Sequence, residues 1–317
     1  MDTFRRRLLI FITICAAFCV PKPAHAQNFA EAYIVMDATT GHVLDGQNIQ
    51  KKLQVASITK IATAMVVIDW AEATKSDLAQ YATVPQQAAA LGADPVGLQP
   101  GDQMTLRDLL YAALMQSDNT AALTLAVHVG RSLPHAADVP GEYAFIAQMN
   151  ALARKLKMEH TLFLNPHGLD NMRDKLPYST AYDIARLSAY AMERSGFRFY
   201  VSQKEREVTV LHMDNTQSRY LLQNTNTLLG VNSVDGVKTG TTYHAGQCLV
   251  ISAARPPESV QNGNTYIITP RRLIVAVFHT GGDRFQAANA LLNRGWQLYD
   301  QWAAKGRILK KDEGLIL

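Results

Sequence analysis

The strongest constraint on this chain is the order of three short motifs: Ser57-Ile58-Thr59-Lys60, then Ser117-Asp118-Asn119, then Lys238-Thr239-Gly240. A fold that uses them together must bring three distant stretches of chain to one cleft. Singly they carry little, because roughly one Ser-x-x-Lys and about one Ser-x-Asn are expected by chance in a chain this long. Lys-Thr-Gly is rarer, and the order and local setting of the three carry the reading. Together the residue types point to covalent chemistry on an active serine.

Ser57 and Lys60, three apart where an apolar helix begins, share one helical face. A serine hydroxyl is a weak nucleophile until a base takes its proton. A lysine amine can serve if an apolar setting depresses its pKa, and Lys60 sits in the most apolar helix of the chain. The plain structural alternative is a lysine snorkelling from a helix end. Ser117-Asp118-Asn119 falls between two predicted helices, where it either presents a hydroxyl and an amide to a cleft or caps a helix turn. Lys238-Thr239-Gly240 follows the strand-like Val234–Val237. There Gly240 permits close approach to the backbone, Lys238 supplies positive charge and the Thr239 hydroxyl can bind a carboxylate. The backbone amides of Ser57 and Thr241 are the natural oxyanion donors; a simple strand end with a turn is the alternative.

The first 26 residues read as an export signal: Arg5, Arg6 and Arg7, the apolar run Leu8–Val20, and the small-x-small site Ala24-His25-Ala26 before Gln27. The apolar run is too short for a hydrocarbon core that needs about 20 residues. Cleavage removes Arg5, Arg6, Arg7, Lys22 and Asp2. The 31 basic and 27 acidic residues then become 27 and 26, and the net charge falls from +4 to +1. The basicity is therefore a targeting feature, and nucleic acid is not implied. Cys15 and Cys19 leave with the signal, so Cys248 has no intramolecular partner; in its apolar stretch it reads as an inert core thiol. The remaining length, with 48% hydrophobic and 18% charged residues, suits one large globular domain or two sub-domains.

Ala32–Met36 and His42–Leu44 around Thr39-Thr40-Gly41 predict an opening antiparallel hairpin. A buried helix follows from Ser57 to about Trp70. Residues of about 74–224 read as mostly helical. Thr105 and Thr180 resemble helix caps, a helix over about Thr120–Val129 stops at Gly130, and Phe145, Ile146, Met149, Leu152 and Leu156 share one helical face. Val234–Lys238, Gln247–Ala254 and Thr265–Phe278 read as strands, with Pro256–Asn264 as a long polar connection. Asp283–Trp302 closes the chain with a helix. The expected architecture is α/β, an antiparallel sheet made from both ends of the chain and flanked by helices, with a mostly helical sub-domain inserted.

The chain resembles the low-molecular-mass penicillin-binding proteins, the serine D-alanyl-D-alanine carboxypeptidase and endopeptidase family. Beyond the three motifs, the resemblance rests on Asp37–Leu44, Val55–Lys60, Leu98–Asp102, Leu109–Ala122, Asn165–Asp170 and Val234–Gly240. It implies a β-lactamase/DD-peptidase-like fold over residues 27–317 and a substrate of peptidoglycan stem peptides, with β-lactams as covalent inhibitors. It implies no cofactor and no metal. Carried over residue by residue, Ser57 is the acylated nucleophile, Lys60 the base, and Ser117 with Asn119 the second element. Ser117 would relay a proton to the leaving amine, and Asn119 would orient Lys60 and the substrate. Lys238, Thr239, Gly240 and Thr241 form the third element, and Arg272 corresponds to an arginine that binds the terminal carboxylate. His167 corresponds to a cleft-side histidine, catalytic or structural. The chain departs from the family at Asp118 and Thr120, where Gly and Asp are usual, and at Val55, where proline is common. Its 256–264 connection is long, and it ends soon after the last catalytic-domain helix. The expectation is no C-terminal β domain and no stable membrane anchor.

Three functions compete at this stage. A DD-peptidase acts on D-Ala-D-Ala as a carboxypeptidase or on cross-links as an endopeptidase. A serine β-lactamase of class A shares fold and motifs but deacylates with a glutamate in Glu-x-x-Leu-Asn; Glu142 and Glu159 lack Leu-Asn at the required offsets. A silent wall-binding module is disfavoured by the intact motifs. The carboxypeptidase reading leads.

Overall fold

A computed structural model of the protein describes residues 30–170 and 175–309, and the segment read as an export signal lies outside them. The chain opens with the expected hairpin, β1 (Ala32–Asp37) and β2 (Val43–Gln47). Its turn is tied by the Asp37 carboxylate, which accepts from the Thr40 amide at 2.9 Å and the Thr40 hydroxyl at 2.6 Å. A 3-10 turn, Ala56–Thr59, precedes α1 (Lys60–Thr74), so Ser57 stands in that turn and not in the helix proper.

Among the described residues, the stretch expected to be mostly helical contains five α-helices and, in addition, a sheet of its own. In chain order it holds β3 (Tyr81–Thr83), β4 (Gln103–Thr105), α2 (Leu106–Tyr111), α3 (Asn119–Gly130), α4 (Gly141–Lys155), α5 (Ala181–Glu193), α6 (Ser195–Val201), β5 (Glu205–Leu211) and β6 (Gln217–Gln223). The four strands pair in the order β3-β4-β5-β6. Two of them are only three residues long, too short to show a period. The caps read from sequence are in place: Thr105 accepts from the Asp108 amide at 3.1 Å, and Thr180 from the Asp183 amide at 3.0 Å. Gly130 does not break α3 but forms its last residue. A Cβ there would fall 1.9 Å from the Gly141 carbonyl oxygen, so the glycine is set by the close approach of α4.

The remaining elements are β7 (Val234–Thr242), β8 (Gly246–Asn262), β9 (Thr265–Thr280) and α7 (Arg284–Ala304). With β1 and β2 they form an antiparallel sheet of order β2-β1-β9-β8-β7, built from both ends of the chain as expected. Residues 256–264, expected as a polar connection, instead prolong β8 and β9 into a ribbon paired from Glu258↔Thr269 to Asn262↔Thr265 beyond a register shift at Arg255. The polar, proline-bearing sequence reads as loop because both faces of this ribbon meet solvent, leaving no buried side to impose alternation.

Both faces of the sheet are covered. Ile34 and Met36 on β1 join the core under α1 and α5, while Tyr33 and Val35 face α7 with Leu291, Leu292 and Trp296. Burial on two sides explains why the central strands are nearly all apolar and do not alternate. Cys248 lies in this interior at β8. Burial pushes its thiol up to about 12, which makes it unreactive, as its surroundings in sequence suggested.

Candidate active site

The three motifs meet at the end of the sheet where β7, an edge strand, passes the start of α1. A pocket of about 220 Å³ is lined there by Ser57, Ser117, Asn119, Thr239, Gly240 and Thr241, together with Ala93, Pro95, Gln116, Leu169, Thr225 and Arg284. Lys-Thr-Gly lies within β7 and not at its end. At Gly240 a Cβ would sit 3.0 Å from the Val55 carbonyl oxygen and 3.1 Å from the Ser57 amide nitrogen. A larger residue would push the strand off the nucleophile turn. The close approach puts the Ser57 amide beside Thr241, where two backbone donors can converge on a developing oxyanion.

Lys60 is fully buried, and its Nζ touches three oxygens: Ser57 Oγ at 2.9 Å, Asn119 Oδ1 at 2.7 Å and the His167 carbonyl at 2.8 Å. The last two can only accept, so they take the two N–H bonds of a neutral amine. The third direction is the lone pair, aimed at the one partner that can donate, the Ser57 hydroxyl. Burial lowers the Lys60 pKa to about 7, against the charge of Asp118, which favours the ammonium. The neutral amine is therefore available near neutral pH, and the snorkelling alternative is excluded by the depth of the group.

Ser117 follows a wide π-type turn, Ala112–Gln116, and takes a left-handed conformation with φ 67°. This kink separates α2 from α3 and turns Ser117 into the pocket; such turns recur at functional sites. Asp118 then caps α3, accepting from the Ala121 amide at 2.8 Å, and Asn119 opens the helix with its side chain towards Lys60.

The His167 imidazole is not aimed at the reacting atoms. Its Nδ1 accepts from the Leu169 amide at 3.2 Å, and burial, with the charge of Lys60, lowers its pKa to about 3. Its contribution to the site is its carbonyl. The segment is shaped by Asn165, whose Oδ1 accepts from the Gly168 amide at 2.6 Å. Gly168, at φ +87°, packs so closely that a Cβ would lie 2.0 Å from the Ala56 carbonyl oxygen.

Lys238 is buried, with Nζ donating to the Thr239 carbonyl at 3.0 Å; burial, then Lys60 and Arg284, hold its pKa well below the usual lysine value. Thr239 Oγ1 lies 2.6 Å from Thr225 Oγ1, a pocket residue that sequence reading did not single out.

Arg272 is placed away from the pocket, contrary to the sequence expectation. Lys238 is level with Val250 and Ala276, whereas Arg272 pairs with Ala254, four residues or about 13 Å further along β9. There its Nη1 donates to Asp235 Oδ1 at 2.8 Å and to Ser252 Oγ. The pocket arginine is Arg284, at the start of α7, donating from Nη1 to the Gly240 carbonyl at 3.0 Å and Thr241 Oγ1 at 2.9 Å. The resemblance placed this role on Arg272, within the strand after residues 256–264; β9 runs on past it, and the arginine that reaches the pocket comes after the strand, at the start of α7. The Asp283 cap and adjoining basic residue were the available signal.

A helix-covered antiparallel sheet with a Ser–Lys couple, a Ser-x-Asn loop and a Lys-Thr-Gly edge strand defines an acyl-transferring serine enzyme of the β-lactamase/DD-peptidase fold. A family model described as D-alanyl-D-alanine carboxypeptidase matches residues 19–261. D-alanyl-D-alanine carboxypeptidase DacC of Escherichia coli is 33% identical over 298 residues, 92% of this chain and 67% of the relative. D-alanyl-D-alanine carboxypeptidase DacF of Bacillus subtilis is 30% identical over 227 residues, 71% and 54% respectively, so the chain spans little more than half of that relative. The crystal structure of a Streptomyces DD-transpeptidase matches with TM-score 0.71 and 26% identity over 85% of this chain and 97% of the other. The chain belongs to the D-alanyl-D-alanine carboxypeptidase family of serine peptidases.

Proposed function

We propose that the protein is a D-alanyl-D-alanine carboxypeptidase acting on peptidoglycan stem peptides through an acyl-enzyme on Ser57. The observation that carries this is the three-way contact of the buried Lys60 amine. Ser57 Oγ attacks the carbonyl carbon between the two D-alanines, and its proton passes to Lys60. The oxyanion forms between the Ser57 and Thr241 amides. Ser117, on the opposite wall, returns a proton to the departing amine as the C–N bond breaks and terminal D-alanine leaves. Water then attacks the ester, releasing the shortened peptide and restoring Ser57. Arg284, on the pocket wall, supplies the positive charge that a free terminal carboxylate needs, which favours the carboxypeptidase over the endopeptidase reading. No carboxylate lines the pocket among the described residues, and neither Glu142 nor Glu159 reaches it, which supports a peptidase over a class A β-lactamase. β-Lactams would acylate Ser57 by the same attack.

A cell-wall substrate requires export, and the basic n-region, apolar run and Ala24-His25-Ala26 site of the first 26 residues support it. Among the described residues no helix is long and apolar enough to cross a membrane. The catalytic unit is proposed to span residues 27–317. Mass analysis of muropeptides after incubation with the mature protein tests the activity. Loss of one alanine from pentapeptides is expected; conversion of dimers to monomers alone would reassign the protein as an endopeptidase.

A further inference from the structure

A second serine stands in nucleophile geometry, outside the pocket of Ser57. His212 follows β5 directly, and Ser218 lies on β6 across the same hairpin. The His212 amide donates to the Thr216 carbonyl at 2.9 Å, so Ser218 is the diagonal neighbour of His212 on one face of the sheet. His212 Nε2 lies 2.8 Å from Ser218 Oγ, and its Nδ1 lies 3.0 Å from Asp102 Oδ1. Asp102 is buried in the turn before β4, and its Oδ2 accepts from the Gln99 amide at 2.9 Å, which fixes the carboxylate. A carboxylate can only accept, so Nδ1 carries the ring proton and Nε2 is left to accept from the Ser218 hydroxyl. The turn between His212 and Ser218 is locked by Asp214, whose Oδ1 accepts from the Thr216 amide at 2.9 Å and the Thr216 hydroxyl at 2.6 Å. Serine, base and orienting carboxylate thus stand in sequence on well-held backbone. The His212 side chain is 27% exposed and Ser218 is half-buried, so solvent reaches the pair.

We propose that Ser218, His212 and Asp102 form a second nucleophilic site, independent of Ser57, that takes small uncharged esters. Ser218 Oγ attacks the ester carbonyl carbon while its proton passes to His212 Nε2. That proton goes to the leaving alcohol oxygen as the C–O bond breaks, and the acyl group stays on Ser218. Water, giving its proton to His212, then attacks the acyl carbon; Ser218 Oγ departs with that proton and the free acid is released. Asp102 is a positioning residue that holds the imidazole in the tautomer this needs. The bonded pairs of the hairpin ladder run from His212–Thr216 to Val210–Ser218, so the Arg219 amide points outward from β6, an edge strand. The amide that follows a nucleophile is a ready oxyanion donor. Met213, exposed beside His212, packs over Gly101 next to Asp102 and offers apolar contact to a short acyl chain. The Arg219 guanidinium is paired with Glu207 at 3.5 Å, which favours an uncharged substrate over an anionic one.

Ser57→Ala in the full chain removes the first nucleophile and isolates the second. This protein, native and in urea, would be treated with a fluorophosphonate probe and the adduct mapped by mass spectrometry. One adduct is expected, on Ser218 in the tryptic peptide Glu207–Arg219, and from the native protein only. In the same background His212→Gln should slow both this labelling and p-nitrophenyl acetate hydrolysis by roughly 10²–10⁴-fold. Asp102→Asn places an amide N–H against Nδ1 and reverses the tautomer. Nitrogen NMR of His212 should therefore report Nδ1–H with Asp102 and Nε2–H with Asn, and labelling should be lost with the change. No adduct on the Glu207–Arg219 peptide, equal labelling in urea, or an undiminished rate in His212→Gln would overturn the second site and leave the three residues as a structural rim of the small sheet. The mapping on Ser57→Ala alone decides this even where His212→Gln or Asp102→Asn folds poorly.

Discussion

Asn119 Oδ1 stands 2.7 Å from Lys60 Nζ, and this contact turns a buried lysine into an oriented one. Without it the amine can rotate, and the lone pair need not face Ser57. The contact also makes Lys60 sensitive to the charge at position 119. The base acts when neutral, so wild-type acylation should rise with pH through about 7 and then level. Asn119→Asp puts a carboxylate against the amine, favours the ammonium, and should move this acid limb upward by about 1–3 units. Penicillin acylation rates against pH measure it; an unmoved limb would show that Lys60 is not the titrating base.

Arg284 and Arg272 offer a paired test of carboxylate binding. Loss of a charge-assisted hydrogen bond typically costs about 1.5–3 kcal/mol, roughly ten- to 150-fold in rate. Arg284→Ala should lose that much kcat/KM on a peptide ending in D-Ala-D-Ala, and less on one with an amidated terminus. Arg272→Ala should keep wild-type kcat/KM while losing stability, because it strands Asp235 and Ser252. A large activity loss in Arg272→Ala with none in Arg284→Ala would return the role to β9.

The contrast between these arginines shows where sequence reading reached its limit. Ser57, Lys60, Ser117, Asn119 and Lys238–Thr241 were legible because their chemistry depends on residue type within short local patterns, and the structure brings them together. The sheet strands and the caps at Thr105 and Thr180 were legible for the same reason. Arg284 depends on how far β8 and β9 extend, a property of strand pairing that leaves no periodic trace in a ribbon exposed on both faces. The second sheet escaped because β3 and β4 are too short to show a period. The contacts of buried Asp118 were hidden because the amides its carboxylate accepts from, Ala121 at 2.8 Å and Val96 at 3.2 Å, come from α3 and from a loop with no recognisable motif.

Gly168 should prove irreplaceable for steric reasons. An alanine there meets the Ala56 carbonyl oxygen at 2.0 Å in addition to a φ of +87°. Gly263, at φ +61° in the ribbon turn with nothing within 4 Å, isolates the conformational part. Gly263→Ala should cost about 1 kcal/mol and leave acylation intact. Gly168→Ala should cost roughly 2–4 kcal/mol and slow acylation, since the residue it displaces adjoins Ser57. Urea unfolding and penicillin labelling of both variants test this; equal stability losses would mean that the nucleophile turn yields freely.

His167 should make the protein acid-sensitive. Its folded pKa is about 3 against an ordinary 6.5, so between these values the unfolded chain binds a proton that the native state refuses. Its contribution to stability is therefore complete above about pH 6.5 and is lost as pH falls towards about 3, by up to about 1.4 kcal/mol per unit. The buried carboxyls with raised pKa values, Asp37 and Asp183 among them, act in the opposite sense and are common to any pair of variants compared. The useful comparison is thus wild type against His167→Asn. The asparagine side-chain oxygen falls where Nδ1 accepts from the Leu169 amide, while the backbone carbonyl that binds Lys60 is retained. Urea unfolding free energies at about pH 7 and about pH 4.5 should fall by roughly 2–3 kcal/mol more in wild type than in the variant. Equal acid losses in the two proteins would mean that His167 is protonated in the native state, and that its burial does not hold it neutral.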